Sequence, residues 1–432
     1  MNYTETLDYL FSRLPVFQRI GPAAYKNNLD NTIQLDKLYN HPHRQFSSVH
    51  IAGTNGKGSV AHMLTAILQS AGYKTGLYTS PHLTDFRERI RINGKMVSKN
   101  EIVEWVENYR INNEMWKMEP SFFELTVAMA FDLFTKHKVD IAVVEVGLGG
   151  RLDSTNIITP EVSVITNIGL DHVALLGDNI EKIAAEKAGI IKHGVPAVIG
   201  TTQKEIQHVF EEKAKAEGAS LDFADKEFNV DYALRDLEGN QLVSLTQNDK
   251  KVFPNLTLDL KGSYQLKNLP AVLKTIDILQ QKNWKIEENH IFKGLGATTK
   301  ITGLKGRWQV IGNNPQVICD SGHNEDGIKA IVEQIKQTPY KKLHIVLGTV
   351  NDKDWQLILK LFPKNARYYF TKAKIPRALD EKELTKYATD FGLQGDSYST
   401  VKSALAAARD CAEINDLIFI GGSTFVVAEI LE

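Results

Sequence analysis

The apolar positions of this chain fall into short unbroken runs, separated by longer stretches with helical spacing. SVHIAG (48–53), KTGLYT (74–79), DIAVVEV (140–146), VSVITN (162–167) and PAVIG (196–200) read as strands. Between them, SVAHMLTAILQSAG, FFELTVAMAFDLFTKH and NIEKIAAEKAGIIK repeat their apolar residues at helical intervals. Strands that are apolar throughout suit a mostly parallel sheet covered on both faces, so the alternation predicts an α/β fold. Residues 219–261 change character, with period-two alternation and turn residues, and predict a small antiparallel insert. A helical stretch follows in SYQLKNLPAVLKTIDILQQ. Around ATTKITGLK the periodicity is lost, which places a boundary there: a first domain over 1–298, a linker at 299–304 and a second domain over 305–432. In that second part WQVI, PQVICD, KLHIVLGT, ARYYFT and DLIFIGGS restart the alternation with helices between them. A smaller, Rossmann-like α/β domain is expected.

Composition narrows the class. A chain of 432 residues has room for two or three domains at about 150 residues each. Its 51 basic and 52 acidic residues leave a net charge of −1. That balance carries no footprint for nucleic acid or a membrane surface, so neither is expected as a partner. No apolar window is long enough to span a bilayer. The N-terminal MNYTETLDYLFSRL brings acids early and has no apolar core of a secretory signal. With only Cys319 and Cys411, no disulfide framework is implied. A cytoplasmic monomer is the expectation.

The chemistry begins at IAGTNGKGSV, directly after the first strand. Gly56-Lys57 matches the GK pair of a phosphate-binding loop, but Ile51 stands where the first glycine of GxxxxGK[ST] belongs, and Gly58 follows the lysine. The loop is a variant whose hydroxyl comes one residue late, at Ser59. Gly53, Gly56 and Gly58 let backbone N–H groups turn inward, and the next helix offers its positive end. Gly53, Thr54, Asn55, Gly56, Lys57, Gly58 and Ser59 are therefore candidate phosphate contacts, with Lys57 reaching the β- and γ-phosphates. The bland alternative is a glycine-rich turn.

With no hydroxyl beside Lys57, a magnesium ion needs ligands from elsewhere. Ser80 follows the tip of the second strand, at the sheet edge where open α/β proteins bind ligands, although a serine before proline is also an ordinary turn. Glu145 is an acid inside an apolar strand end, a position that calls for a partner or a metal. His172, in NIGLDH, reaches the same edge, although a lone histidine is more often structural. In NIEKIAAEKAGIIK the apolar stripe runs through Ile180, Ile183, Ala184, Ala188 and Ile191, and Lys187 interrupts it. Lys187 could snorkel to solvent. Alternatively, burial would leave its amine neutral and able to take up CO₂ as a carbamate, an oxygen ligand for Mg²⁺.

Together these stretches resemble the folylpolyglutamate synthase/dihydrofolate synthase family, a branch of the Mur-type ATP-dependent ligases. GTNGKGS (53–59), YTSPHL (78–83), ERIRING (88–94), EVGLGGRLDSTN (145–156), NIGLDH (167–172) and EKAGIIK (186–192) carry the likeness, in order. KGRW (305–308), DSGHN (320–324), NDKD (351–354) and PRAL (376–379) extend it into the second domain. The family usually reads closer to PGR and DGAHNP, so loop rigidity at KGR and DSGHNE is in doubt. The resemblance implies ATP and two Mg²⁺ ions as cofactors. Ser80 and Glu145 would hold one ion; Glu145, His172 and a carbamylated Lys187 would hold the other. Asn268 and Arg307 would contact the terminal phosphate, and Asp320 and His323 would face nucleotide and glutamate. Ser423, in GGST, would help bind the incoming glutamate. Arg307 could equally be a surface cation, and Asp320 and His323 could cap the next helix.

The implied reaction joins L-glutamate to the carboxylate of dihydropteroate or a reduced folate through an acyl phosphate, with ATP as the phosphoryl donor. Lys57, Glu145, His172, Lys187 and Arg307 would carry it. Phe122 and Phe123 in PSFFEL could stack on a pterin, or sit in the core at a helix start. Arg89 could meet a substrate carboxylate. Two other readings stand beside this one. A different Mur-type amino-acid ligase would be expected to have a separate domain ahead of the loop. A nucleotide-dependent regulatory protein would not release ADP in response to glutamate.

Overall fold

The computed structural model describes residues 1–15, 28–351 and 355–432. Of the NDKD stretch, only Asn351 lies within the described residues. The chain divides into two compact units, Met1–Asp259 with Gln265–Leu304, and Leu260–Tyr264 with Lys305–Glu432.

The first unit is built on an eight-stranded sheet. Its strands are β1 (Ser47–Ala52), β2 (Thr75–Tyr78), β3 (Ile90–Ile92), β4 (Lys95–Met96), β5 (Ile141–Glu145), β6 (Val162–Ile165), β7 (Ala197–Ile199) and β8 (Leu221–Phe223). They lie in the order β4-β3-β2-β5-β1-β6-β7-β8. β2, β5, β1, β6, β7 and β8 run parallel, and β3 and β4 add an antiparallel edge. β1 and β5 are buried almost throughout, as their unbroken apolar runs require. Ala142 and Val144 of β5 share a core with Leu125, Met129 and Phe134 of the helix Phe122–Lys136. That helix starts cleanly because Ser121 and Glu124 form a capping box. The helix Lys57–Ser70 packs on β1, β2 and β5. Chain order reverses direction around β1, so the loops after β1, β5 and β6 open on one carboxyl edge.

Two expectations are corrected here. The antiparallel insert is a separate three-stranded sheet of β9 (Phe228–Arg235), β10 (Gln241–Gln247) and β11 (Lys250–Leu258), so it begins later than residue 219. Residues 221–223 instead extend the main sheet, pairing β8 parallel to β7. Nor is 299–304 simply a linker: Thr298–Thr302 form a short helix that belongs to the first unit.

The second unit has a six-stranded sheet in the order β12-β13-β17-β14-β15-β16. The strands are β12 (Gln309–Gly312), β13 (Gln316–Cys319), β14 (Leu343–Leu347), β15 (Arg367–Thr371), β16 (Gly395–Tyr398) and β17 (Leu417–Gly421). All neighbours are parallel except β12 with β13. Among the described residues, no helix is long and apolar enough to cross a membrane.

Candidate active site

The loop after β1 is braced from three sides. Gly53 and Gly56 have φ of +144° and +85°, conformations that glycine takes at little cost. A Cβ on Gly53 would come within 1.9 Å of Thr166 Oγ1, and one on Gly56 within 2.3 Å of Asn268 Oδ1. Neither space admits a side chain. The segment after β6 holds the loop from one side. The amide of Thr54 donates to the Asn167 carbonyl at 2.8 Å, and the amide of Asn55 to Asn167 Oδ1 at 2.9 Å. Thr166 Oγ1 donates to the Asn55 carbonyl at 2.6 Å. Thr54 Oγ1 and the Gly169 backbone exchange two further bonds. Lys57 turns its Nζ back to the Gly53 and Thr54 carbonyls at 3.0 and 3.1 Å, so the cation sits over the loop. Gly58 lies in the first turn of the helix, and Ser59 is buried there with its hydroxyl accepting from Gln265 Nε2 at 3.0 Å. With the Thr54 and Asn55 amides engaged by Asn167, the loop's offer to an anion is the Lys57 cation and the positive start of its helix.

The ionisable candidates lie at the end of β5 and on the segments that follow β2 and β6. Glu145 ends β5 opposite Ile51 of β1 and is buried. The Ser80 amide donates to Glu145 Oε2 at 3.2 Å, which brings the tip of β2 to the same acid. His172 opens the short helix Val173–Leu176 in a left-handed conformation, and its amide donates to Asp171 Oδ1 at 2.9 Å. Lys187 lies on the helix Ile180–Ala188 and is 5% exposed. Burial, with the Lys57 cation as a second cause, pulls its amine down to about 7, against the pull of Asp171, Asp153 and Glu186. Those influences place Lys57, Asp171 and Asp153 in the neighbourhood of Lys187. The glycine-rich GLGG turn fits directly against this helix, and the Arg151 amide donates to the Glu186 carbonyl at 2.8 Å. Ser80 and Glu145 meet at this edge through the Ser80 amide, and the oxygens of a hydroxyl and a carboxylate are donors a hard divalent cation takes. Among the described residues, the three-ligand His/Cys/Asp/Glu group is Asp36, His41 and His43, and His172 is not drawn into one with Glu145.

Three expected substrate contacts have a different setting. Phe122 is buried in an aromatic cluster, with ring centroids 5.0 Å from Phe11 and 5.9 Å from Phe86. Arg89 is buried against it, 5.2 Å from the ring centre, and donates from Nε to His82 Nδ1 at 2.8 Å. Burial lowers the pKa of Arg89, against the pull of the nearby Tyr78 and Glu145. Phe123 is less enclosed, and its ring lies against Gly147, just past Glu145.

The second unit gathers its own candidates at the end of β13. Asp320 is buried, and its Oδ2 accepts from the Tyr264 hydroxyl and from the Trp308 amide at 2.7 Å. Its Oδ1 accepts from the Gly322 amide at 2.8 Å. Burial raises its pKa despite these donors. Arg307 donates to Ser321 Oγ and to the Gly306 carbonyl, and His323 Nδ1 lies 2.9 Å from the Ser321 carbonyl. The cap of the helix Glu325–Gln337 is Asn324, so Asp320 and His323 are not occupied with capping it. Ser423 does cap: its Oγ accepts from the Phe425 amide at the start of Thr424–Leu431.

Sequence reasoning passed over Asn167, Asp153 and Gln265. Asn167 and Asp153 lie inside quoted stretches, but their use is local hydrogen bonding to backbone, which no periodicity reveals. Asp153 accepts from Leu148 and Thr155 and so shapes the glycine turn.

Residues 51–276 match the Mur ligase middle domain, and residues 306–424 match the Mur ligase glutamate ligase domain. The class is thus a Mur-type ligase. The dihydrofolate synthase/folylpolyglutamate synthase of Bacillus subtilis is 34% identical over 83% of this chain and 84% of its own length. A probable bifunctional folylpolyglutamate synthase/dihydropteroate synthase of Haloferax volcanii is 32% identical over 99% of this chain. The chain spans about half the length of that relative, 50%. The solved structure of Escherichia coli FolC in complex with DHPP and ADP superposes with a TM-score of 0.86 at 28% identity, covering 100% of this chain and 97% of that one. The chain belongs to the folylpolyglutamate synthase/dihydrofolate synthase family.

Proposed function

We propose that this protein is an ATP-dependent ligase that adds L-glutamate to a folate-type carboxylate. The reading is supported by the family the chain belongs to, together with Lys57 folded over the glycine loop and a buried Lys187 whose amine is lowered by burial and by the Lys57 cation. A carboxylate is a poor electrophile. Transfer of the γ-phosphoryl group of ATP to it gives an acyl phosphate and ADP. The glutamate amine then attacks the carbonyl carbon, the C–O bond to phosphate breaks, and an amide and inorganic phosphate result. No protein nucleophile is needed. The protein's task is to bring anions together and offset their charge.

Lys57 and the loop amides would hold the β- and γ-phosphates, with Asn268 and Arg307 on the terminal one. Ser80 and Glu145 would hold one Mg²⁺; Glu145, His172 and Lys187, carrying CO₂ as a carbamate, would hold a second. Bound there, the metal supplies positive charge to the phosphate oxygens. Asp320, His323 and Ser423 are assigned to nucleotide and glutamate, Phe123 to the pterin. The buried settings of Phe122 and Arg89 make them supports for that pocket.

The test is ADP release by the purified protein with ATP, Mg²⁺ and L-glutamate, and either dihydropteroate or tetrahydrofolate. Release that requires both glutamate and a pterin acceptor is expected. ADP release indifferent to glutamate would discard the ligase reading. Lys187→Ala is expected to lose most of the activity, and in wild type supplied with ¹³C-bicarbonate a carbamate carbon signal should appear that Lys187→Ala lacks.

A further inference from the structure

We propose that Gln265 is a positioning residue for the nucleotide, acting by holding the Asn268 carboxamide over the glycine loop. The inference rests on the functional reading above, because it concerns how the proposed phosphate contact is held.

Gln265 is fully buried, in the tight turn Ser263–Lys267 that precedes the helix Leu269–Gln281. Its side chain joins two others. Nε2 donates to Ser59 Oγ at 3.0 Å, and Oε1 accepts from Asn268 Nδ2 at 2.8 Å. The Asn268 amide also donates to the Gln265 carbonyl at 2.9 Å. Ser59 is in the first turn of the helix that leaves the glycine loop, so Gln265 ties that helix to Asn268.

What Asn268 does not do is equally informative. It occupies the N-cap position of its own helix, where asparagine normally accepts a bond from the N2 or N3 amide. Here there is no such bond. The carboxamide points instead to Gln265 and to Gly56, so close that a Cβ on Gly56 would meet Oδ1 at 2.3 Å. A carboxamide on a single bond rotates freely unless something fixes it, and that freedom is lost when it meets a ligand. Gln265 fixes it beforehand, which leaves less order to impose on binding. A glutamine in a wholly buried turn must also satisfy both ends of its amide, and here the two partners are the loop helix and the phosphate contact.

The experiment is a double-mutant cycle on binding of the non-hydrolysable analogue AMPPCP, measured by titration calorimetry with Mg²⁺ present. Gln265→Met keeps the volume and removes both bonds. It should weaken binding about tenfold. In the Asn268→Ala background the same change should have little further effect, since the group it positions is gone. Multiplying factors in the double variant would overturn the inference, as would wild-type affinity in Gln265→Met. Should Gln265→Met not fold, Ser59→Ala runs the same cycle with a smaller change. Its effect should likewise fade in the Asn268→Ala background, and persistence there would overturn the inference. A wild-type protein that binds no AMPPCP refutes the functional reading itself, a result distinct from either of these.

Discussion

Gly56 combines two demands that no other residue meets. Its φ of +85° costs an L-residue roughly 1–2 kcal/mol, and its Cβ position is filled by Asn268. Gly56→Ala should therefore destabilise the first unit by about 1–3 kcal/mol and abolish tight nucleotide binding, both readable from a melt with and without AMPPCP. Normal affinity in that variant would mean the loop relaxes around a methyl group. Residue-level reading of the sequence was strongest for groups that break a pattern. Lys187 stands out because a cation interrupts an apolar stripe, and Glu145 because an acid ends an apolar strand. Gln265 and Asn167 escaped notice because they break nothing. Their side-chain partners are a backbone amide, a hydroxyl and a carboxamide, set by a fold that has to be in hand before they can be seen.

At the level of elements, the helix Lys57–Ser70 matters because it begins at the glycine loop. The helix Glu288–Gly296 crosses it so closely that a Cβ on Gly294 would lie 2.6 Å from the backbone of Ile67. Alanine improves an isolated helix by about 1 kcal/mol over glycine. A clash with backbone costs about 1–3 kcal/mol and should win. Gly294→Ala is expected to lower the urea midpoint, and a raised midpoint would show that the crossing yields. The central strands were legible in their long apolar runs. β3, β4, β8 and β16, two to four residues long, were not. Equally short strands such as β7, Ala197–Ile199, were legible because they are apolar, whereas IRI, KM, LDF and GDSY mix in charged or polar residues and are strand because a neighbour supplies their hydrogen bonds.

The molecule as a whole should be sensitive to acid through His50. This residue lies within β1, wholly buried, with Nε2 2.8 Å from Thr155 Oγ1. Burial, aided by the Lys192 cation, drops its pKa from 6.5 to about 3. Between those values the unfolded chain takes up a proton that the folded one refuses, so stability falls as pH falls through that window. The slope from this one group approaches 1.4 kcal/mol per pH unit at most. His50→Gln should flatten the dependence of stability on pH between 6.5 and about 3, and an unchanged profile would show that the imidazole takes up its proton alike in the folded and unfolded states.

The backbone passes from one compact unit to the other after Asp259, again after Tyr264, and finally after Leu304. Tyr264, whose hydroxyl serves Asp320, is thus encoded upstream of the rest of its unit. A gene severed at the last junction would hand its downstream product a module missing a pentapeptide. Half-genes of this protein are not freestanding cassettes to be swapped between relatives, and a chimera has to carry the codons for 260–264 along with those for 305–432.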